Sequence, residues 1–198
     1  MLIGLLGYAG SGKDTAASAL ENNRGWPVGW RRVAFADPLR ELALRIDPTI
    51  PVEGSKLPNG VILNSGMTSG SLSEILSGDS WENSKRKIPA VREFLQKLGT
   101  ACRETFGKDC WVDIARKSIE DSVESVVVTD CRFPNEFEMI KNMGGHLVRV
   151  SRPGCRAVNG HVSESFIAKA KVNATLLNVG SEQDLRRNML KTTRRLFG

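Results

Sequence analysis

The sequence predicts an α/β fold: a parallel sheet with helices on both faces. Three observations carry this reading. The short run Leu2–Leu6 is apolar throughout and ends at Gly7, as expected for a strand buried on both sides. Strand-like and helix-like segments then alternate to the end of the chain, the pattern of a parallel sheet with crossover helices. Finally, a glycine-rich turn joins the first strand directly to the first helix, where open parallel sheets bind ligands.

Taken in order, residues 14–20 are Ala-rich and helical, and 32–36 form a second short strand. Asp37-Pro38 then opens a helix, with Asp as the capping residue and Pro at the first helical position. Residues 47–80 are crowded with Gly, Ser, Asn and Pro and read either as a linker or as a mobile insertion; so little chain precedes them that an insertion is favoured. From 89 to 106 the helical period is clear, with Val91, Leu95, Leu98, Cys102 and Phe106 on one stripe. Beside it runs a polar stripe of Arg92, Gln96, Gly99 and Arg103. Val112, Ala115 and Ile119 mark another helix. Residues 125–129 (SVVVT) read as a β-branched strand, 135–143 as a helix closed by Gly144-Gly145, and 146–150 as a strand. A short helix at 163–170 and a strand at 175–178 follow. Ser181-x-x-Asp184 starts the last helix, whose inner stripe is Leu185, Met189, Thr193 and Leu196.

With 198 residues, 40% apolar and 25% charged, the composition is that of an ordinary globular chain and excludes a disordered or fibrous one. The length suits one domain over 1–198. No apolar run approaches a membrane span, and Leu2–Leu6 is too short for a signal-peptide core. The four cysteines form no CxxC pair and read as reduced thiols of a cytoplasmic protein. The net charge of +6 is unevenly distributed. Residues 149–198 hold ten Lys/Arg against three Asp/Glu, whereas the rest of the chain is close to neutral. A basic excess suits nucleic acid, a membrane surface or small phosphorylated ligands. No helix-turn-helix signature, aromatic stacking run or polybasic tail supports nucleic acid, and neither histidine has metal-ligand spacing. His146 and His161 read as structural or capping residues.

Gly7-Tyr8-Ala9-Gly10-Ser11-Gly12-Lys13-Asp14-Thr15 has the form of a phosphate-binding loop. Its glycines let the backbone curl so that amides face phosphate oxygens, and the helix N-terminus adds partial positive charge. Lys13 would reach the β- and γ-phosphates, and Thr15 the α-phosphate. Asp14 stands where Ser or Thr usually ligates Mg²⁺. As a hard oxygen donor it can serve the metal directly or through water, but its negative charge beside a polyphosphate requires the metal. The chain has no N-K-x-D guanine reader. Asp130 is followed by Cys131 rather than by the Glu that activates water in many ATPases, which favours phosphoryl transfer to a bound acceptor.

On the acceptor side, Asp130 and Arg132 leave the end of a core strand. Asp130 could orient a metal shell or an acceptor oxygen, and Arg132 could hold a phosphate; alternatively Asp130 or Asn135 caps the next helix and Arg132 is solvated. Arg92, Gln96 and Arg103 suit a phosphate dianion. Gly99 among them implies a close approach, either by a ligand or by a packed helix. Arg149, Arg152 and Arg156 flank Pro153-Gly154 and could close over transferring phosphates.

These residues together resemble the bacteriophage deoxynucleoside monophosphate kinase family. The resemblance is carried by GYAGSGKDT, FADPLRELA, VREFLQKLGTACRETFGKDCW, VVVTDCRFPNE, HVSE and LLNVGS, which run in order through nearly the whole chain except 47–80. It implies a P-loop, nucleoside-monophosphate-kinase-like fold with a five-stranded parallel core, a monophosphate-binding region containing 47–88 as a flexible insertion, and a lid at 151–170. The implied reaction is ATP-Mg²⁺ plus a dNMP giving ADP and a dNDP, supplying DNA precursors. Gly7, Ala9, Gly10, Ser11, Gly12, Lys13, Asp14 and Thr15 would hold ATP, with Asn178 and Gly180 at the adenine. Lys13, Arg132, Arg152 and Arg156 would stabilise the transferring group. Asp37, Arg92, Gln96, Arg103, Asp130 and Arg132 would bind the dNMP, and Asp14, with Asp130 as a further candidate, would serve Mg²⁺. The implied partners are these small molecules, without nucleic acid or membrane, for a monomer or homodimer. The rival readings are a dephospho-coenzyme-A-like or phosphomevalonate-like kinase and, further off, a nucleic-acid-associated ATPase.

Overall fold

A computed structural model of the chain describes residues 1–52, 69–155 and 162–198. In chain order the elements are β1 (Leu2–Leu6), α1 (Lys13–Glu21), β2 (Trp30–Val33), α2 (Asp37–Ile46), β3 (Thr49–Pro51), β4 (Ser69–Ser71), α3 (Leu72–Leu76) and α4 (Trp81–Lys87). They continue with α5 (Pro89–Phe106), α6 (Cys110–Glu120), β5 (Ser125–Val128), α7 (Pro134–Asn142), β6 (His146–Ser151), α8 (Val162–Lys169), β7 (Ala174–Leu177) and α9 (Glu182–Phe197). They fall into two compact units: Met1–Phe35 with Val112–Gly198, and Ala36–Trp111.

The first unit is built on a five-stranded sheet of order β2-β5-β1-β6-β7 in which every neighbouring pair is parallel. The apolar run at the N-terminus becomes the central strand because both of its faces are covered. Leu2 and Leu6 enter a core with Val112, Ala115 and Ile119 of α6, Phe137 and Ile140 of α7 and Ile167 of α8. Ile3 and Leu5 point the other way, into Ala16, Ala17 and Leu20 of α1 and Leu185 and Met189 of α9. Each such side chain contributes roughly 1.5–3 kcal/mol by leaving water, so the sheet is held by its two sandwiching layers. The chain passes β2 and β5 on one side of β1 and β6 and β7 on the other. The reversal therefore lies at the C-terminal end of β1, the point where such sheets open a ligand crevice.

Two expectations shift here. The second strand is Trp30–Val33 rather than 32–36. Its ladder runs from Trp30↔Ser125 to Val33↔Val128, and the next free amide, that of Phe35, donates to the Asp130 carboxylate (2.8 Å), drawing the chain out of the sheet. Asp37 is the first residue of α2 rather than its cap; Ala36 holds the capping position without a side-chain bond, and Pro38 follows in the first turn.

The second unit packs α2, the antiparallel pair β3–β4, α3, α4 and α5 around Ala43, Ile50, Val52, Leu72, Ile75, Ile88, Val91 and Leu95. Regular structure therefore fills part of 47–88, where the sequence suggests only a loosely patterned insertion. Ser71 and Glu74 form a reciprocal capping box on α3, and Ser80 caps α4 through the Asn83 amide. Residues 53–68 of that insertion lie outside the described residues. On α5 the apolar stripe holds through Cys102, but Phe106 is 75% exposed because the helix end carries it past the core. Gly99 is buried, and a Cβ there would meet Leu39 of α2 at 3.4 Å, so its small size serves helix packing. Its carbonyl accepts from Trp111 Nε1 at 3.4 Å.

Candidate active site

The loop between β1 and α1 is shaped by its glycines. Gly12 caps α1 in a left-handed conformation (φ 101°), and no side chain caps the first turn. The amides at this helix start consequently have no side-chain acceptor, and the helix dipole adds to their pull on an anion. At Gly7 a Cβ would lie 2.4 Å from the Val150 carbonyl of β6, so only glycine lets the loop leave the sheet so close to its neighbour. The Ser11 hydroxyl is fully buried and has no partner among the described residues. Lys13 Nζ donates to the carbonyls of Gly7 (2.8 Å) and Tyr8 (3.0 Å), which places a cation across the loop. Burial, then the like charge of Arg132, pulls the Lys13 pKa below its ordinary value, against the opposing fields of Asp14, Asp130 and Cys155.

Asp130 follows β5, the strand beside β1, and one of its oxygens accepts the Phe35 amide. Arg132 is exposed two residues on. The turn carrying both is anchored by Glu136, only 4% exposed, whose carboxylate accepts from the amides of Arg132 (2.6 Å) and Phe133 (3.0 Å). Glu136 thus supplies the cap that the alternative reading of this turn gave to Asp130 or Asn135, and sequence reasoning missed it; the signal was an acid three residues into the P-N-E helix start. Cys131 beside it is buried, and burial with the neighbouring Glu136 and Asp130 charges raises its thiol pKa well above the ordinary value. It is an inert core residue.

A cleft of about 340 Å³ at the C-terminal edge of the sheet brings together Gly10, Gly12, Lys13, Asp14 and Thr15 from the loop with Arg152, Asn178 and Gly180 from the ends of β6 and β7. Eight predicted residues therefore share one site, and Glu182 and Leu185 of α9 complete its wall. Asn178 Nδ2 donates to the Ser11 carbonyl (2.9 Å), clasping the loop to β7. A second, larger hollow of about 570 Å³, around Arg31, Ile114, Lys117 and Val123, lies by the N-terminal ends of β2 and β5 and contains none of the predicted residues. The predicted residues gather instead in the smaller cleft, where the loop amides and cations converge.

Arg149 is not one of the phosphate-facing arginines. Its guanidinium donates to the carbonyls of Ile167 (3.0 Å), Ala168 (3.3 Å) and Ala170 (2.6 Å), tying down the C-terminal end of α8. His146 is structural, edge-on to Phe197 at 4.8 Å. Arg156 and His161 lie outside the described residues. In the second unit, Arg92 and Gln96 are exposed one turn apart on α5, Arg103 is half-buried further along, and Asp37 stands exposed at the start of α2, 3.4 Å from Arg40. The two units hold the remaining predicted residues separately: the loop, Asp130, Arg132 and Arg152 in the first, and these four in the second.

Asp14 is exposed in the first turn of α1 and forms an ion pair with Arg32 of β2, a partner that no local pattern in the sequence announces. Among the described residues no three His, Cys, Asp or Glu side chains are grouped to hold a metal by themselves. One or two carboxylates beside a phosphate site is the donor set that Mg²⁺ uses, with substrate oxygens and water completing its shell. Asp14 and Asp130 fit that description. No helix among the described residues is long and apolar enough to cross a membrane.

The model of the deoxynucleotide monophosphate kinase family matches residues 56–189. A protein of Acanthamoeba polyphaga mimivirus carrying the name deoxynucleotide monophosphate kinase is 31% identical over 181 residues, spanning 86% of this chain and 84% of its own. The deoxynucleoside-5'-monophosphate kinase of Escherichia phage T5 is 27% identical over 223 aligned residues, spanning 90% and 89%. Among solved structures, shikimate kinase from Aquifex aeolicus superposes with a TM-score of 0.48 at 12% identity, over 98% of this chain and 96% of the other.

Proposed function

The chain belongs to the deoxynucleotide monophosphate kinase family, and from that premise we propose that it transfers the γ-phosphoryl group of ATP to a deoxynucleoside monophosphate, giving ADP and the diphosphate. The observation that carries the proposal is the single cleft in which an uncapped helix start, the Lys13 cation, Arg152 and Asn178 meet at the end of the central strand.

The loop amides from Gly7 to Thr15 hold the β- and γ-phosphates. Lys13 turns from the Gly7 and Tyr8 carbonyls toward the phosphoryl oxygens as nucleotide enters. Its lowered pKa reflects a cation held partly out of water, where its field on a transferring group is strongest. Arg132 and Arg152, with Arg156, offset the remaining charge, and the 151–170 segment acts as a lid that excludes water from the transfer. Gly180, with Asn178 beside it, supports the adenine. Asp14 and Asp130 would hold Mg²⁺, which when bound supplies positive charge to the phosphoryl oxygens. Asp130 and Arg132 of the first unit bind the phosphate of the monophosphate substrate. Since such transfer depends on alignment and charge neutralisation more than on proton abstraction, no general base is assigned. Four free cysteines suit a cytoplasmic enzyme.

A coupled ADP-release assay over dNMPs, NMPs, dephospho-coenzyme A and phosphomevalonate tests the acceptor. The proposal expects ADP release with at least one dNMP above the acceptor-free rate. Activity only with one of the other acceptors would overturn it while keeping the kinase fold.

A further inference from the structure

Asp14 puts a negative charge in the first turn of the helix that receives phosphates. Its only hydrogen-bond or ion-pair partner among the described residues is Arg32, at the far edge of the sheet on β2. The Asp14 side chain is 85% exposed and that of Arg32 36% exposed, so this is a solvent-facing pair of the kind that adds little to folding stability. The neighbouring cation, Lys13, directs its hydrogen bonds to the Gly7 and Tyr8 carbonyls and leaves the carboxylate to Arg32. A pair that does little for the fold thus engages one oxygen, Oδ1, of a carboxylate that lines the phosphate-loop cleft.

We propose that Arg32 is a positioning residue for the kinase reaction: it competes with the divalent cation for the Asp14 carboxylate. By holding that carboxylate, Arg32 keeps the helix start electrically neutral and keeps Asp14 from capturing a cation on its own. The metal is then taken up together with the nucleotide, whose phosphates add the ligands needed to displace the guanidinium. The inference rests on the reading of Asp14 as a metal ligand under Proposed function, and it adds a residue whose effect is exerted through Asp14 and not through contact with substrate.

The test is Mn²⁺ binding to the protein saturated with a non-hydrolysable ATP analogue, followed by electron paramagnetic resonance. It compares wild type, Arg32→Gln, Arg32→Lys, Asp14→Asn and the Arg32→Gln/Asp14→Asn double variant, each first shown to melt like wild type. Releasing one exposed ion pair should tighten Mn²⁺ binding about two- to fivefold in Arg32→Gln. Arg32→Lys should return it toward wild type, and Asp14→Asn should weaken it. In the Asp14→Asn background, Arg32→Gln should have almost no effect, because the competition is gone. An equal tightening in both backgrounds would reduce Arg32 to a distant charge and overturn the inference, as would unchanged or weaker binding in Arg32→Gln. If Asp14→Asn leaves Mn²⁺ affinity unchanged, the metal role of Asp14 fails first, and the inference fails with it.

Discussion

Replacing Gly12 by alanine probes the phosphate loop where the structure constrains it most. Gly12 sits at φ 101°, and a Cβ there would lie 2.7 Å from Asn178 Nδ2 and 2.8 Å from Leu185 Cδ2. Placing an L-residue in left-handed space costs about 1–2 kcal/mol. Turning the buried Leu185 side chain off its rotamer adds about 1 kcal/mol. Pushing Asn178 away breaks its bond to the Ser11 carbonyl, worth about 1 kcal/mol. The total is about 3–4 kcal/mol, which at about 2–4 °C per kcal/mol for a chain of this size lowers the melting temperature by roughly 6–16 °C. If the loop relaxes by abandoning its shape instead, the same energy appears as a loss of ATP affinity of about 100-fold or more. Thermal melting with and without ATP, alongside calorimetric titration, reads both. Asn178→Ala should reproduce only the hydrogen-bond share, a loss of a few degrees. A Gly12→Ala protein that melts within 1 °C of wild type and binds ATP within threefold would refute the claim that this backbone conformation and the Asn178 clasp organise the loop.

Other consequences are equally direct. Lys13→Ala should lower turnover by about 10²–10³, the usual effect of removing one preorganised charge donor, with little change in melting temperature. Because the folded pKa of Lys13 lies below its ordinary 10.5, the unfolded chain binds more protons between those two values. Stability should therefore rise with pH across that window, and the favourable contribution should disappear as pH falls through the lowered value. Urea unfolding at a series of alkaline pH values should show this slope, and Lys13→Met should flatten it. Glu136→Ala leaves two part-buried amides at the start of α7 without their acceptor, costing roughly 1–3 kcal/mol. It should raise KM for the dNMP through Arg132 more than KM for ATP, whereas Glu136→Gln should restore most of the stability.

What could be read from the chain was local. The loop is legible because strand, glycine-rich turn, lysine and helix follow one another within fifteen residues, and the central strand because an all-apolar run has no other stable place than between two layers. The ends of α7, β6, β7 and α9 lie within two residues of expectation for the same reason. The misreadings are long-range or mixed in signal. β2 begins earlier than expected because its register is set by β5, some ninety-five residues away in sequence. The capping serines at 71 and 80 were hidden among other Gly and Ser residues that carry no periodicity. The choice at Gly99 between a ligand and a packed helix stayed open because Leu39, which lies against it, is sixty residues earlier. Arg149 looked free beside Arg152 until α8 was folded against it, and no spacing rule connects Asp14 to Arg32.

The central claim is a transfer of phosphate between two small molecules, and γ-labelled ATP follows that transfer directly. Incubated with each dNMP in turn, wild-type protein should move the label into the corresponding dNDP, with little appearing as inorganic phosphate, and Lys13→Ala should slow the movement by about 10²–10³. Label released only as inorganic phosphate, at a rate indifferent to dNMP, would contradict the account.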